Sequence, residues 1–206
     1  GKPVSAIRTW PWKNSPTPSP IRPNLRVAFI GGRGLISKYS GIESYYEEIG
    51  ARLAETGHEV TVYCRSHFTP AVSEYNGMRI VRIPTLRTKH LETLIHTLLS
   101  TAHALTQKYD VVHYHALGPA LFSWIPRLFG TATTVTVQGL DWQRAKWGKT
   151  ASTVLQLGER ASVLFPNRTM VVSQTLQHHY RQARSVETVF VPNGGVLRER
   201  IAPRKI

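Results

Sequence analysis

The sequence predicts a doubly wound α/β domain: a mostly parallel sheet of about six or seven strands, with helices on both faces. Three observations carry that expectation. From Leu25 onward, short apolar runs alternate strictly with segments whose apolar residues recur at helical spacing. The first run ends in Gly31 and Gly32 and opens toward a helix, the order of a strand-to-helix turn. Turn residues punctuate the rest: Gly57 stops the first helix, and Pro84 closes the third strand.

Residues 25–30 (LRVAFI) read as the first buried strand. Residues 41–56 carry Ile42, Tyr46, Ile49 and Leu53 at helical spacing. Residues 59–63 (EVTVY) and 78–83 are the second and third strands. Leu91, Leu94, Ile95, Leu98, Leu99, Ala102 and Leu105 mark a long amphipathic helix. Residues 110–114 (DVVHY) form a strand, and 119–129 a helix in which Pro126 would introduce a kink. Strand 133–137 (TTVTV), helix 150–164, strand 169–172, helix 174–183 and strand 188–191 complete the alternation. Crossover helices between successive runs demand parallel pairing. Ahead of all this, residues 1–24 hold Pro3, Pro11, Pro16, Pro18, Pro20 and Pro23, six of the 13 prolines. Proline fixes φ and removes a backbone donor, so this stretch reads as an extended tail.

With 206 residues, 41% hydrophobic and 18% charged, the chain suffices for one globular core. Its one cysteine, Cys64, allows no internal disulfide and fits a reducing compartment. No signal peptide is evident, and no apolar run approaches the roughly 20 residues of a membrane span. A soluble, cytoplasmic protein is expected. Lysine and arginine total 26 against 12 acids, a formal charge of +14. Such a field favours polyanions: nucleic acid, anionic lipid or diphosphates. The charge is scattered rather than blocked, which also fits a solvated basic surface. Arg79, Arg82, Arg87, Lys89 and Lys108 flank the long helix. On a shared face they would give a peripheral contact with anionic lipid.

In parallel sheets ligands bind beyond the carboxyl ends of the strands, so the segments after each strand are the candidates. GGRGLISKYSGIES (31–44) sets Gly32 and Gly34 in a turn and Gly41 at a helix start. Glycines permit close approach of a ligand, and free N–H groups at a helix N-terminus suit phosphate. An ordinary strand-to-helix turn is the plainer reading. The dinucleotide fingerprint is absent, because the loop is long and the second strand ends in Tyr63-Cys64-Arg65 with no acid for a ribose. No cofactor is expected.

His113 and His115, in VVHYHALGPA, project from one side if both are extended. No cysteine or acid follows at ligand spacing, so no metal is expected. His113 reads as a packed histidine, and His115, at the strand end, as a binding candidate. QGLDWQRAKWGK (138–149) brings Gln138, Asp141, Arg144 and Lys146 together with Trp142 and Trp147 directly after a buried strand. Aromatic faces with hydrogen-bonding groups suit sugar rings; the plainer reading has Asp141 capping the next helix and the tryptophans in the core. FVPNGGV (190–196) ends the last strand in a turn and begins a linker.

Those segments, in that order, resemble the N-terminal domain of glycosyltransferase family 4, over residues 25–196. GxRGLxxKYSGIESYYEE is similar to the family's glycine loop and following helix, with Gly41-Ile42-Glu43 matching its glycine–apolar–glutamate pattern. GHEVTVYCR resembles its second strand, HALGPALF and TVQGLDWQRAKWGK its mid-domain segments, and VPNGGV its hinge. The resemblance implies a GT-B architecture: two Rossmann-like domains facing across a cleft. The first holds the acceptor, and the second most of a nucleotide diphosphate-sugar donor. It implies metal-independent, retaining transfer to a glycan or lipid-linked acceptor, as in bacterial polysaccharide biosynthesis.

On this reading residues 1–24 are a tail, 25–196 the Rossmann-like acceptor-side domain, and 197–206 the start of a linker to a missing C-terminal domain. Gly32, Gly34 and Gly41 would approach the donor phosphates. His115, Gln138, Asp141 and Arg144 would line the cleft. No catalytic residue is expected within this domain alone, which would be inactive by itself. Many family members carry histidine where Gln138 stands. Glutamine still donates and accepts hydrogen bonds, but it does not become a cation near pH 7, which weighs against a direct catalytic role.

Two other classes fit part of the pattern. A basic nucleic-acid-binding module would need an aromatic or basic stripe along one element. The charge here is scattered, so no nucleic-acid partner is expected. Half of a sugar-nucleotide epimerase would share the two-domain architecture.

Overall fold

The computed structural model describes residues 24–36, 41–88, 91–143 and 148–193. The tail before Asn24, the linker at 197–206, and Lys89, Arg144, Lys146 and Trp147 lie outside the described residues. The chain runs β1 (Arg26–Ile30), α1 (Gly41–Glu55), β2 (Glu59–Arg65), β3 (Glu74–Tyr75), β4 (Met78–Ile83) and α2 (Glu92–Leu105). It continues with β5 (Val111–His115), α3 (Leu117–Ala120), α4 (Trp124–Leu128), β6 (Ala132–Val137) and α5 (Lys149–Leu164). β7 (Arg168–Val171), α6 (Gln174–Arg184) and β8 (Val189–Phe190) close the fold.

The strands form one sheet in the order β3-β4-β2-β1-β5-β6-β7-β8. Every pairing is parallel except β3 with β4. Strand periodicity divides the core between the two faces. Val27 and Phe29 of β1 join Val60, Val62 and Cys64 beneath Tyr46 of α1. Ala28 and Ile30 turn the other way, to Val112, Tyr114, Val135 and Val137. Both faces are buried, as a doubly wound sheet requires. On the second face α5 settles against α3 through Gly158: a Cβ there would lie 2.1 Å from the Leu117 carbonyl oxygen.

Three local expectations are revised. The sheet gains an eighth strand, β3, too short to show an apolar period. Its signal was Asn76-Gly77: Tyr75 pairs with Met78, and the two turn residues have φ 49° and 72°, as a two-residue hairpin requires. The helix expected over 119–129 is two short helices, and the break comes before Pro126 rather than at it. Pro126 sits in the first turn of α4, where its missing N–H costs nothing; Ser123 ahead of it donates its hydroxyl back to the Ala120 carbonyl at 2.8 Å. Finally, Arg79 and Arg82 are three residues apart on β4 and therefore project from opposite faces. They do not join one basic face along α2.

Candidate functional site

β1 lies between β2 and β5, and the chain winds outward from it in both directions. The carboxyl ends of β1 and β5 are thus the topological switch point, where successive connections diverge and leave a crevice. The backbone there is unusual. Gly31 has φ 119°, and a Cβ on it would sit 2.5 Å from the His115 carbonyl oxygen. Ala116, directly after β5, takes φ 75° and ψ 167°, a region essentially reserved for glycine. Ile36, a branched residue, has φ 76°. Strain of this kind costs about 1–3 kcal/mol per residue and concentrates at functional sites.

The glycine loop is pinned from three sides. The Gly32 N–H donates to the Tyr46 hydroxyl at 2.9 Å, the Arg33 N–H to Glu43 Oε1 at 3.1 Å, and the Leu35 N–H to Thr69 Oγ1 at 3.3 Å. A Cβ on Gly32 would fall 2.4 Å from Tyr46 Cε2, and one on Gly34 2.1 Å from Thr69 Oγ1. Gly32 and Gly34 are therefore buried, and their missing side chains make room for Tyr46 and Thr69. Gly41, at the start of α1, has no atom of the described residues within 4 Å of an added Cβ. Among the described loop residues, Arg33 and Ile36 reach solvent.

His113 and His115 share a face of β5, with ring centroids 4.2 Å apart. Phe29, Tyr45 and Tyr46 close over His115 at centroid distances of 5.6, 4.9 and 4.7 Å. His113 Nε2 lies 2.7 Å from Thr136 Oγ1. Both His115 ring nitrogens are buried without a hydrogen-bond partner among the described residues. Burial holds His113 neutral, with its pKa pushed down to about 4. It pushes His115 well below the ordinary range too, with neighbouring His113 adding to the effect. The His115 side chain thus stands at the expected strand end but does not reach solvent.

Gln138 follows β6 and is half-buried. Its Oε1 accepts a hydrogen bond from Asn193 Nδ2 at 3.0 Å, while its Nε2 is buried and unpartnered among the described residues. Asp141 opens a single 3-10 turn, Asp141–Gln143. It does not cap α5, whose N-cap is Gly148 in extended conformation. Trp142 is only partly buried. Its Nε1–H donates to Glu159 Oε2 at 2.7 Å. Glu159, fully buried on α5, also takes His179 Nε2 at 3.0 Å and Arg184 Nε at 2.8 Å on its other oxygen. Burial raises its pKa, but the hydrogen bonds from Arg184, His179 and Trp142 outweigh that and leave it lowered. No local sequence signal marked Glu159, which stands between Gly158 and Arg160.

Gly32 and Gly34 follow β1, His115 ends β5, and Gln138 and Asp141 follow β6, three neighbouring strands of the sheet, while Gly41 opens α1. Arg144 lies outside the described residues. Among the described residues, no three histidine, cysteine or acidic side chains are placed to hold a metal ion, and no helix is long and apolar enough to cross a membrane.

No curated protein matches the sequence. Solved structures match its fold. Sucrose-phosphate synthase from Thermosynechococcus elongatus superposes with a TM-score of 0.63 at 20% identity, covering 84% of this chain and 49% of that one. Anabaena HepE, solved in complex with UDP and glucose, gives 0.58 at 15% identity, covering 83% and 45%. Arabidopsis thaliana UGT89C1, complexed with UDP, gives 0.53 at 11% identity, covering 87% and 54%. The chain spans about half the length of each, and at these identities the likeness is one of fold. A glycosyl transferase 4-like domain model matches residues 40–194, well over half of the chain, and with its GT-B-type α/β fold the chain belongs to that glycosyltransferase family.

Proposed function

We propose that this chain is the acceptor-side half of a retaining glycosyltransferase. The enzyme moves a sugar from a nucleotide diphosphate-sugar to a glycan or lipid-linked acceptor. The observation that carries the reading is the strained backbone at Gly31 and Ala116, directly after the neighbouring strands β1 and β5, in a chain whose family is that of glycosyltransferases. HepE was solved with UDP and glucose, and UGT89C1 with UDP. Those chains are about twice as long, which supports a donor site completed by a second domain.

In this reading the domain positions rather than reacts. The N-terminus of α1 offers free N–H groups and a partial positive charge to the donor phosphates. Gln138 and Asp141, after β6, line the wall that meets the sugar. His115, held neutral beneath Tyr45 and Tyr46, supports that wall from inside. Catalysis needs donor and acceptor in register and charge stabilisation at the leaving diphosphate. One wall of a cleft supplies neither in full. Residues 1–206 alone should therefore fold, show no measurable transfer, and bind nucleotide diphosphate-sugars weakly. The test is calorimetry and a radiolabelled-donor assay on this chain, beside the chain extended through a second domain. Robust turnover by the shorter chain would overturn the reading.

A further inference from the structure

We propose that the outward face of α2 and α4 docks onto an anionic lipid bilayer. Joined to the acceptor-side reading above, on which this second step rests, docking selects the lipid-linked acceptor over a free glycan.

α2 is turned the opposite way from a helix that only fills a core. Its polar residues His96, Thr97, Ser100 and Thr101 are buried. Thr101 Oγ1 meets the Tyr114 hydroxyl of β5 at 2.9 Å, so this polar side faces the sheet. His96 Nε2 and Ser100 Oγ are buried without a hydrogen-bond partner among the described residues. Leu91, Leu98 and Leu99 are exposed instead, and Leu94, Ile95 and Leu105 are only half-buried. An amphipathic helix ordinarily hides its apolar stripe against the core. Here a large part of the stripe meets water.

α4 extends this face. The crossovers from β4 to β5 and from β5 to β6 advance in the same direction across the sheet, so α2 and α4 cover the same side of it. The two helices pack against each other. Trp124 is exposed, and Leu128 and Phe129 are 72% and 70% exposed. Leu91 is the N-cap of α2 and Phe129 the C-cap of α4. Six of the twelve exposed large apolar residues among the described ones therefore lie on these two helices and their caps. Exposed leucines scattered singly need no explanation, but a cluster of this size marks an interaction surface.

Charge identifies the occupant. Residues 86–131 contain two acids, Glu92 and Asp110, and both turn inward. Glu92 Oε2 accepts from Arg65 Nη1 at 2.9 Å, and Asp110 Oδ2 from the Arg26 N–H at 2.8 Å. The cations stay at the rim: Arg87 before α2 and Lys108 after it are exposed, and Arg127 projects from α4 to the Phe165 carbonyl. A second copy packed on this face would set like charges against each other across a two-fold axis. Residues 1–24 carry Lys2, Arg8, Lys13 and Arg22 with no acid, and residues 197–206 carry four cations and one acid, so neither segment complements the face. An anionic bilayer does. Its hydrocarbon takes the leucines, its interface suits Trp124 and Phe129, and its phosphates attract the rim.

The geometry also suits a lipid-linked acceptor. Glu92, in the first turn of α2, is held by Arg65 at the carboxyl end of β2. From there the 14 residues of α2 run about 21 Å toward the amino edge. With α2 lying in the bilayer plane, the carboxyl edge of the sheet stands beside the membrane.

The test is co-sedimentation of the chain with vesicles of phosphatidylcholine alone and of phosphatidylcholine with about one-third phosphatidylglycerol. Binding to the anionic vesicles should be about tenfold or more tighter, and raised salt should weaken it without abolishing it. Leu128→Ser with Phe129→Ser, two side chains that hold little of the core, should keep the fold by circular dichroism and lose about tenfold or more in binding. Arg87→Gln with Lys108→Gln should narrow the preference for anionic vesicles. Equal binding to the two kinds of vesicle would overturn the proposal, as would unchanged binding by the folded serine variant. So would a dimer in sedimentation velocity that the serine variant abolishes, or loss of vesicle binding in the chain extended through a second domain, since either would name a different occupant. Absence of transfer by the two-domain enzyme would instead sink the functional reading and leave the docking surface standing.

Discussion

Gln138 Oε1 accepts a hydrogen bond from Asn193 Nδ2 at 3.0 Å, joining residues 55 apart in sequence. One stands after β6, on the candidate cleft; the other follows β8, where the chain leaves the sheet. The bond is solvent-exposed, so it should contribute little to stability. Asn193→Ala should change the unfolding free energy by no more than about 0.5 kcal/mol. It should nevertheless shift the Gln138 side-chain amide resonances in an NMR spectrum. An unmoved Gln138 amide would mean that the two segments are not coupled in solution.

Glu159 holds the segment after β6 in a different way. Its carboxylate gathers Trp142, His179 and Arg184, tying the 3-10 turn to α5 and α6. Charge-assisted hydrogen bonds are worth roughly 1.5–3 kcal/mol, and Arg184 and His179 are each about a quarter exposed, which favours the lower half of that range. Glu159→Gln should lower the Tm by about 3–8 °C for a chain of this length. Trp142→Phe, which removes one donor of three, should cost about 1 kcal/mol. Calorimetric scans of both variants decide the matter, and equal losses from the two would show that the network is not centred on Glu159.

The glycines of the candidate site separate into two kinds. Gly31 combines φ 119° with a backbone oxygen 2.5 Å from any added Cβ. Gly31→Ala should destabilise the fold by about 3 kcal/mol or more, through strain and steric overlap together. Gly41 has φ outside the left-handed region and, among the described residues, no atom within 4 Å of its would-be Cβ. Gly41→Ala should stay within about 0.5 kcal/mol of the parent. Urea unfolding of the pair checks both values, and a tolerated Gly31→Ala would contradict the close approach of β1 to His115.

Period and punctuation made most of this fold legible. The alternation of Val27 and Phe29 against Ala28 and Ile30 identifies a strand buried on both faces, and the strand ends then locate the crevice. What escaped depended on distant partners. Glu159 meets Trp142, 17 residues away, and Arg184, 25 away, and no local pattern reports such a meeting. The apolar stripe of α2 is plain in the sequence, but not the side it faces: the sheet takes Thr101 through Tyr114, 13 residues away. The roles of Gly32 and Gly34 also shifted with context: the space they leave is filled by Tyr46 and Thr69 of the same chain.

Three buried histidines make stability depend on pH. Burial pushes His96 and His113 down to about 4, from an ordinary value of 6.5, and pushes His115 well below it. Arg65 and His67 add to the shift at His96. In the unfolded chain all three take up protons as pH falls through 6.5; in the folded chain they do not. The unfolded state then binds more protons, so stability is fully present above that pH and declines as pH falls toward about 4. Each histidine contributes a slope of up to about 1.4 kcal/mol per pH unit. Glu159, with its lowered pKa, adds loss in the same direction only at more acid pH. Urea unfolding at about pH 7, 6 and 5 should show a decline of up to three protons' worth, and His113→Gln should remove about one of them. A flat profile over that interval, or imidazole resonances titrating near the ordinary value, would show that these rings reach water. The packing of Tyr45 and Tyr46 over His115 would then have to open in solution.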